Sequence, residues 1–206
     1  MLGNALFVDL PDAEVATLSA RPGIVRVQPE RHFQRCTGTS IPFVRAPRAW
    51  SPAGGGFTGK GISIGIIDSG IDYTHADFGG AGTAAGFLAN NPTRIEAGTF
   101  PTARVRGGTD FCGDDYDSTG EKGSPTARPD PDPLDPLANG HGSHVAGIAA
   151  GQGVLKSGRP YTGPYTNQLS AADFEVGPGV APQANLYALK VFGRDGSTSD
   201  SLVVRA

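Results

Sequence analysis

Asp68 and His141 are the two residues whose type and setting offer reactive chemistry. Asp68 follows the run Ile62-Ser63-Ile64-Gly65-Ile66-Ile67 and precedes Ser69-Gly70, whereas His141 opens the small-residue stretch Gly142-Ser143-His144-Val145-Ala146-Gly147. A carboxylate fixed by a turn can hold an imidazole in one tautomer and stabilise its protonated form, while the imidazole takes a proton from a hydroxyl nucleophile. Together the two residues make half of a hydrolytic relay. Such a relay needs rigid supports, which a strand end and a helix start supply.

The elements that must position the pair can be read from pattern. Ile62 to Ile67 is β-branched and nearly all apolar, which predicts a strand buried on both faces of a parallel sheet, and the carboxyl ends of such strands carry sites. Arg104 to Phe111 and Asn185 to Phe192 read as further strands, and Gly142 to Ala150 as a helix whose Gly142, Ser143, Ala146 and Gly147 allow close approach to the sheet. Upstream, Ala5 to Leu10 reads as a strand. A short helix opened by Pro11-Asp12 follows, then a Pro-Gly turn into Ile24 to Val27. Cys36 to Gly61, with Pro42, Pro47, Pro52 and Gly54-Gly55-Gly56, is a linker by composition.

Three motifs in order carry a resemblance. Ile66-Ile67-Asp68-Ser69-Gly70-Ile71-Asp72-Tyr73-Thr74-His75-Ala76-Asp77-Phe78, Asn139-Gly140-His141-Gly142-Ser143-His144-Val145-Ala146-Gly147, and Gly179-Val180-Ala181-Pro182 continuing to Val191 resemble the subtilisin-like serine peptidases, or subtilases. The resemblance implies an α/β fold, a subtilisin-like parallel sheet with flanking helices, incomplete here and preceded by a small α+β remnant. It implies that Asp68 orients His141, that Gly196 and Ser197 belong to a segment pairing with an extended substrate, and that Asp77 matches a calcium-site position found in many members. It divides the chain into residues 1–34 as the end of an inhibitor prodomain, 35–61 as linker and start of the mature region, and 62–206 as the first half of a catalytic domain. Polypeptide substrates, the chain's own prodomain as partner, and a secreted parent whose signal segment precedes Met1 follow from it. The chemistry requires no cofactor, and calcium would be a structural ion.

The family's nucleophilic Ser, in a Gly-Thr-Ser-Met-Ala setting, and its oxyanion-hole Asn come later in the chain than Ala206 reaches. This stretch is therefore expected to be an inactive fragment of a peptidase, with a non-catalytic protein keeping the half-fold as the alternative. Gly38-Thr39-Ser40 imitates the nucleophile motif, but it precedes Asp68 and lies in the linker. Gly61-Ile62-Ser63-Ile64-Gly65 matches a nucleophile elbow, yet Ser63 sits within a strand rather than at a strand-to-helix turn. His141 and His144 share a helix face but lack the further ligands a zinc ion takes, and His144 reads as a packed or capping residue. Asp110, Asp114, Asp115 and Asp117 read as a solvated face, with calcium binding or a preference for basic substrates as the sharper alternatives.

Composition narrows the class. The 206 residues include 31 Gly and 17 Pro, and the net charge of −3 gives no field for nucleic acid or an anionic membrane surface. No stretch has the continuous apolar character of a membrane span. Cys36 and Cys112 could make one disulfide, which is not a disulfide framework.

Overall fold

The computed structural model describes residues 10–27, 37–136, 139–194 and 197–206. Contacts divide the chain into two units, 1–35 and 36–206. In the first, α1 (Asp12–Ser19) starts after Pro11, whose fixed φ suits a helix entry, and Asp12 and Glu14 place negative charge at the positive end of the helix dipole. None of its residues is buried. Residues 24–27 form no strand and Val25 is fully exposed. The strand expected from Ala5 lies, apart from Leu10, outside the described residues.

The second unit corrects the linker reading of 35–61. Residues from Thr37 fold into α2 (Thr37–Phe43) and α3 (Ala46–Trp50). Ile41 and Trp50 are buried with Tyr165 in one apolar cluster, and the Trp50 indole N–H donates to the Val180 carbonyl at 2.8 Å. Pro47 stands in the first turn of α3, where its missing N–H leaves no bond unmade. Proline and glycine content conceals this order because the partners of Ile41 and Trp50 lie far along the chain.

The strands are β1 (Ser63–Asp68), β2 (Val105–Asp110), β3 (Val154–Leu155), β4 (Phe174–Val176) and β5 (Asn185–Lys190), and the remaining helices are α4 (Ala84–Leu88), α5 (His141–Ala150) and α6 (Asp200–Arg205). β5 lies between β1 and β2 and runs parallel to both. A separate antiparallel ribbon pairs β3 with β4. Asp68 and Asp110 both stand opposite Lys190, so the carboxyl ends of the three parallel strands finish in one row. Ile66, Ile71, Tyr73, Val105, Leu186 and Ala188 share one core with Ala146 and Ala150 of α5. The fold is thus the parallel sheet with flanking helices that the motifs imply.

One feature of β1 departs from its pattern. Burial on both faces is expected, but β1 is an edge of the described sheet; Ile66 is buried while Ile62 and Ile67 are 58% and 45% exposed. The apolar run reports what the strand is suited to bury, whereas exposure depends on which neighbours cover it.

Candidate active site

The site is assembled where β1 ends and α5 begins. Asp68 is the last residue of β1, and its Oδ1 accepts the backbone N–H of Ser69 at 2.8 Å. His141 is the first residue of α5. Its Nδ1 lies 2.8 Å from Asp68 Oδ1 and 3.0 Å from Oδ2. The carboxylate is mostly covered at 14% exposure while the imidazole is 64% exposed, so the pair has a fixed side and an open side. With Nδ1–H donated to the carboxylate, the neutral ring keeps its lone pair on Nε2, which has no hydrogen-bond partner among the described residues.

Close approach depends on backbone as well as side chains. Gly140 enters the helix with φ of 67°, a left-handed conformation that glycine adopts without strain. A Cβ on Gly142 would stand 2.2 Å from the Gly70 carbonyl oxygen, so only glycine lets α5 lie against the turn after β1 at this point. The sequence anticipates this role for Gly142. Ser143, counted there merely as small, also makes specific bonds: its hydroxyl accepts the Asp72 N–H at 2.8 Å and donates to Asp135 at 2.7 Å.

Asp135 is the residue at this site that sequence reading missed. It is 2% exposed; its Oδ1 accepts from the Ser69 hydroxyl at 2.8 Å and its Oδ2 from the Ser143 N–H at 2.8 Å. Burial pushes its carboxyl up from the ordinary range, against the pull of the hydrogen bonds from Ser143 and Ser69. In the sequence it closes the acid-rich stretch that begins at Asp110, whose composition shows charge alone. The available signal was an Asp-Pro pair just ahead of the helix carrying His141. Beside it opens a cavity of about 500 Å³ whose wall includes Asp72, His75, Phe87, Leu88, Gly140 and Ser143.

The acidic run is not a solvated face. Asp110 is 1% exposed, and its Oδ2 pairs at 2.8 Å with the fully buried Lys190 ammonium, which also contacts Asp114 and, at 3.1 Å, the Leu134 carbonyl. Burial alone would lower the Lys190 ammonium, but Asp110 and Asp114 carry it above its usual value. Asp117 is 4% exposed and accepts from the Ser197 hydroxyl at 2.6 Å, from Lys122 N–H at 2.9 Å and from the Thr119 hydroxyl at 2.8 Å. Those bonds, Ser197 first, hold its carboxyl well below the usual range. Asp110 and Asp114 are therefore committed to Lys190 rather than presented to a basic substrate. Asp115 alone is well exposed, 3.7 Å from Arg194.

Ser197 is tied to the loop of Asp117 and Ser118, while Gly196 lies outside the described residues. Asp77 is 2% exposed, accepts the Gly153 N–H at 2.6 Å, and is pushed up to about 6 by burial. Among the described residues no group of three or more His, Cys, Asp or Glu side chains converges to hold a metal. Asp77 would supply one of the six to eight oxygens a calcium ion takes. His144 is half-buried. Ser40 lies in α2, and Ser63 opens β1. Cys112 is buried with a free thiol, raised by burial above all, and Cys36 lies outside the described residues. Among the described residues no helix is long and apolar enough to cross a membrane.

A parallel strand whose carboxyl end brings a carboxylate to an imidazole at a helix start has the geometry for proton transfer, and the wider sequence agrees with it. The sequence model of the Subtilase family matches residues 59–206. Minor extracellular protease Vpr of Bacillus subtilis is 32% identical over 165 residues, covering 80% of this chain and 14% of that protein. Subtilisin-like protease SBT2.6 of Arabidopsis thaliana is 29% identical over 206 residues, 93% of the chain and 22% of that protein. Subtilisin E of Bacillus subtilis is 26% identical over 207 residues, 98% of the chain and 37% of its own length. The chain spans well under half of these relatives, between 14% and 37% of their lengths. It belongs to the subtilase family.

Proposed function

We propose that this chain is the part of a serine endopeptidase that carries the general base and the carboxylate orienting it. The observation that supports the reading is the Asp68–His141 pair, with Nδ1 2.8 Å from the carboxylate and the imidazole open on its other side. In this mechanism Asp68 fixes the ring with its proton on Nδ1. Nε2 takes the hydroxyl proton as the serine oxygen bonds to the scissile carbonyl carbon, and Asp68 stabilises the imidazolium that forms. The same proton passes from Nε2 to the leaving amine as the carbon–nitrogen bond breaks, leaving an acyl-enzyme that water hydrolyses by the reverse sequence.

The attacking serine and the oxyanion donor belong, on this reading, to a part of the parent protein beyond these 206 residues. The 206-residue chain by itself then hydrolyses no peptide bond, because loss of a relay nucleophile costs about 10⁶ in rate. The substrates are polypeptides, residues 1–34 act as the end of an inhibitory prodomain, and the parent is secreted. The relay needs no cofactor, and Asp77 serves as a buried structural carboxylate.

Labelling of the full-length parent with a fluorophosphonate, which captures activated serines, tests this. Stoichiometric labelling is expected in the parent and loss of labelling in His141→Ala. A parent that neither labels nor cleaves peptides, although folded, sinks the peptidase reading in favour of a non-catalytic protein with this half-fold.

A further inference from the structure

The first turn of α5 poses a problem that its own sequence solves only in part. A helix leaves its first backbone N–H groups without intrahelical acceptors, and a Ser, Thr, Asp or Asn side chain at the cap meets that need in most helices. Here the cap is Gly140, which has no side chain, and the first turn holds no acidic residue. The neighbouring Asn139 Oδ1 accepts only the His141 N–H, at 3.3 Å, and the acceptors for the next two N–H groups come from elsewhere. The Gly142 N–H donates to Ser69 Oγ at 2.9 Å, and the Ser143 N–H donates to Asp135 Oδ2 at 2.8 Å. Ser69 in turn donates to Asp135 Oδ1 at 2.8 Å, and the Ser143 hydroxyl donates to Oδ2 at 2.7 Å.

These bonds close a circuit around the reactive pair. Ser69 follows Asp68 in the chain and donates its N–H to Asp68 Oδ1. Gly142 and Ser143 follow His141. Both arms meet on the two oxygens of one buried carboxylate, whose negative charge also sits favourably at the positive end of the α5 dipole. Ser143 Oγ takes the Asp72 N–H as well, and the Ile71 N–H donates to the Pro133 carbonyl at 3.0 Å, so the strand end is tied to the segment bearing Asp135 at a further point.

We propose that Asp135 is a positioning residue of the relay: by bridging Ser69 and Ser143 it fixes the separation and orientation of Asp68 and His141, without touching the substrate. This deepens the peptidase reading and rests on it. A misplacement of reacting groups by about 1 Å costs about 100-fold in rate, so slackening the bridge acts on turnover rather than on substrate binding.

The test uses the full-length protein with Asp135→Ala, Asp135→Asn and Ser69→Ala. In Asp135→Ala, kcat per titrated active site is expected to fall about 10-fold to 100-fold with KM within about twofold of wild type. Asp135→Asn keeps an acceptor for the Ser143 N–H, and the Ser69 hydroxyl can rotate to meet its amide, so most of the loss is recovered. If Asp135→Ala does not fold, Ser69→Ala cuts a single arm and lowers kcat severalfold. A purely structural role would reduce the amount of folded protein but leave kcat per titrated site unchanged, and that result overturns the proposal. A second readout separates this proposal from the peptidase reading: the downfield NMR resonance of the His141 Nδ1 proton, bonded to Asp68. Its loss or broadening in Asp135→Ala supports positioning even in a parent without peptidase activity, and an unmoved resonance overturns it.

Discussion

Asp68 and Lys190 stand opposite one another across the β1–β5 ladder, yet their side chains are committed to different partners. Asp68 holds His141, whereas Lys190 is drawn to Asp110 and Asp114. An ammonium free to turn toward Asp68 would compete with the imidazole for the same oxygens. The buried pairing on the β2 side leaves Asp68 to the imidazole.

That division predicts the behaviour of Lys190→Met. Removing the ammonium strands the buried Asp110 carboxylate, and breaking one side of a buried pair costs about 3–5 kcal/mol. Urea unfolding is expected to show a loss of that size. Lys190→Met/Asp110→Asn should recover part of it, because the orphaned charge is gone while an Asn oxygen can still accept the N–H groups of Cys112 and Gly113. A single variant as stable as wild type contradicts the pairing.

Asp77 predicts a pH dependence. Burial raises its carboxyl from 3.8 to about 6, so the folded protein holds this proton more tightly than the unfolded chain does. The stability that the protonated group contributes is fully present below about pH 4 and is lost as pH rises through about 6. Asp132, also raised to about 6 by burial, adds a slope of the same sign. Asp77→Asn keeps an acceptor for the Gly153 N–H and removes the titration. Relative to wild type, the variant should therefore gain about 2–3 kcal/mol between about pH 4 and pH 7. Unfolding curves at the two pH values whose difference is unchanged by the substitution would refute this.

Asp117 should act on binding rather than turnover. Its carboxylate fixes Ser197, the described residue of the segment read as pairing with substrate backbone. In Asp117→Asn an amide N–H must face either the Ser197 hydroxyl or the donors of Thr119 and Lys122, which weakens the anchor by about the worth of one charged hydrogen bond. In the full-length protein KM is expected to rise about 5-fold to 10-fold with kcat little changed. Equal KM values for variant and wild type would show that this anchor does not shape the substrate segment.

Much of the architecture was legible because it rests on local pattern. The run from Ile62, the small residues after His141 and the apolar stretch from Asn185 each name an element, and their order brings Asp68 to His141. What stayed hidden depends on long-range partners. Nothing near Trp50 indicates that Tyr165 and Val180 will receive it, so its surroundings read as linker. The carboxylates of Asp110 and Asp117 read as surface charge because sequence shows their sign but not the donors that will meet them. Lys190 was the available hint: a lysine closing an apolar strand needs a buried counter-charge. Asp135 carried only its place ahead of the α5 helix.

The central claim is that Asp68 orients His141 for proton transfer, and steady-state hydrolysis of a peptide substrate by full-length Asp68→Asn tests it most directly. An Asn of the same shape can hold the ring in the wrong tautomer and cannot stabilise the imidazolium, so kcat is predicted to fall about 10⁴-fold with KM nearly unchanged. A kcat within about 10-fold of wild type would contradict the account.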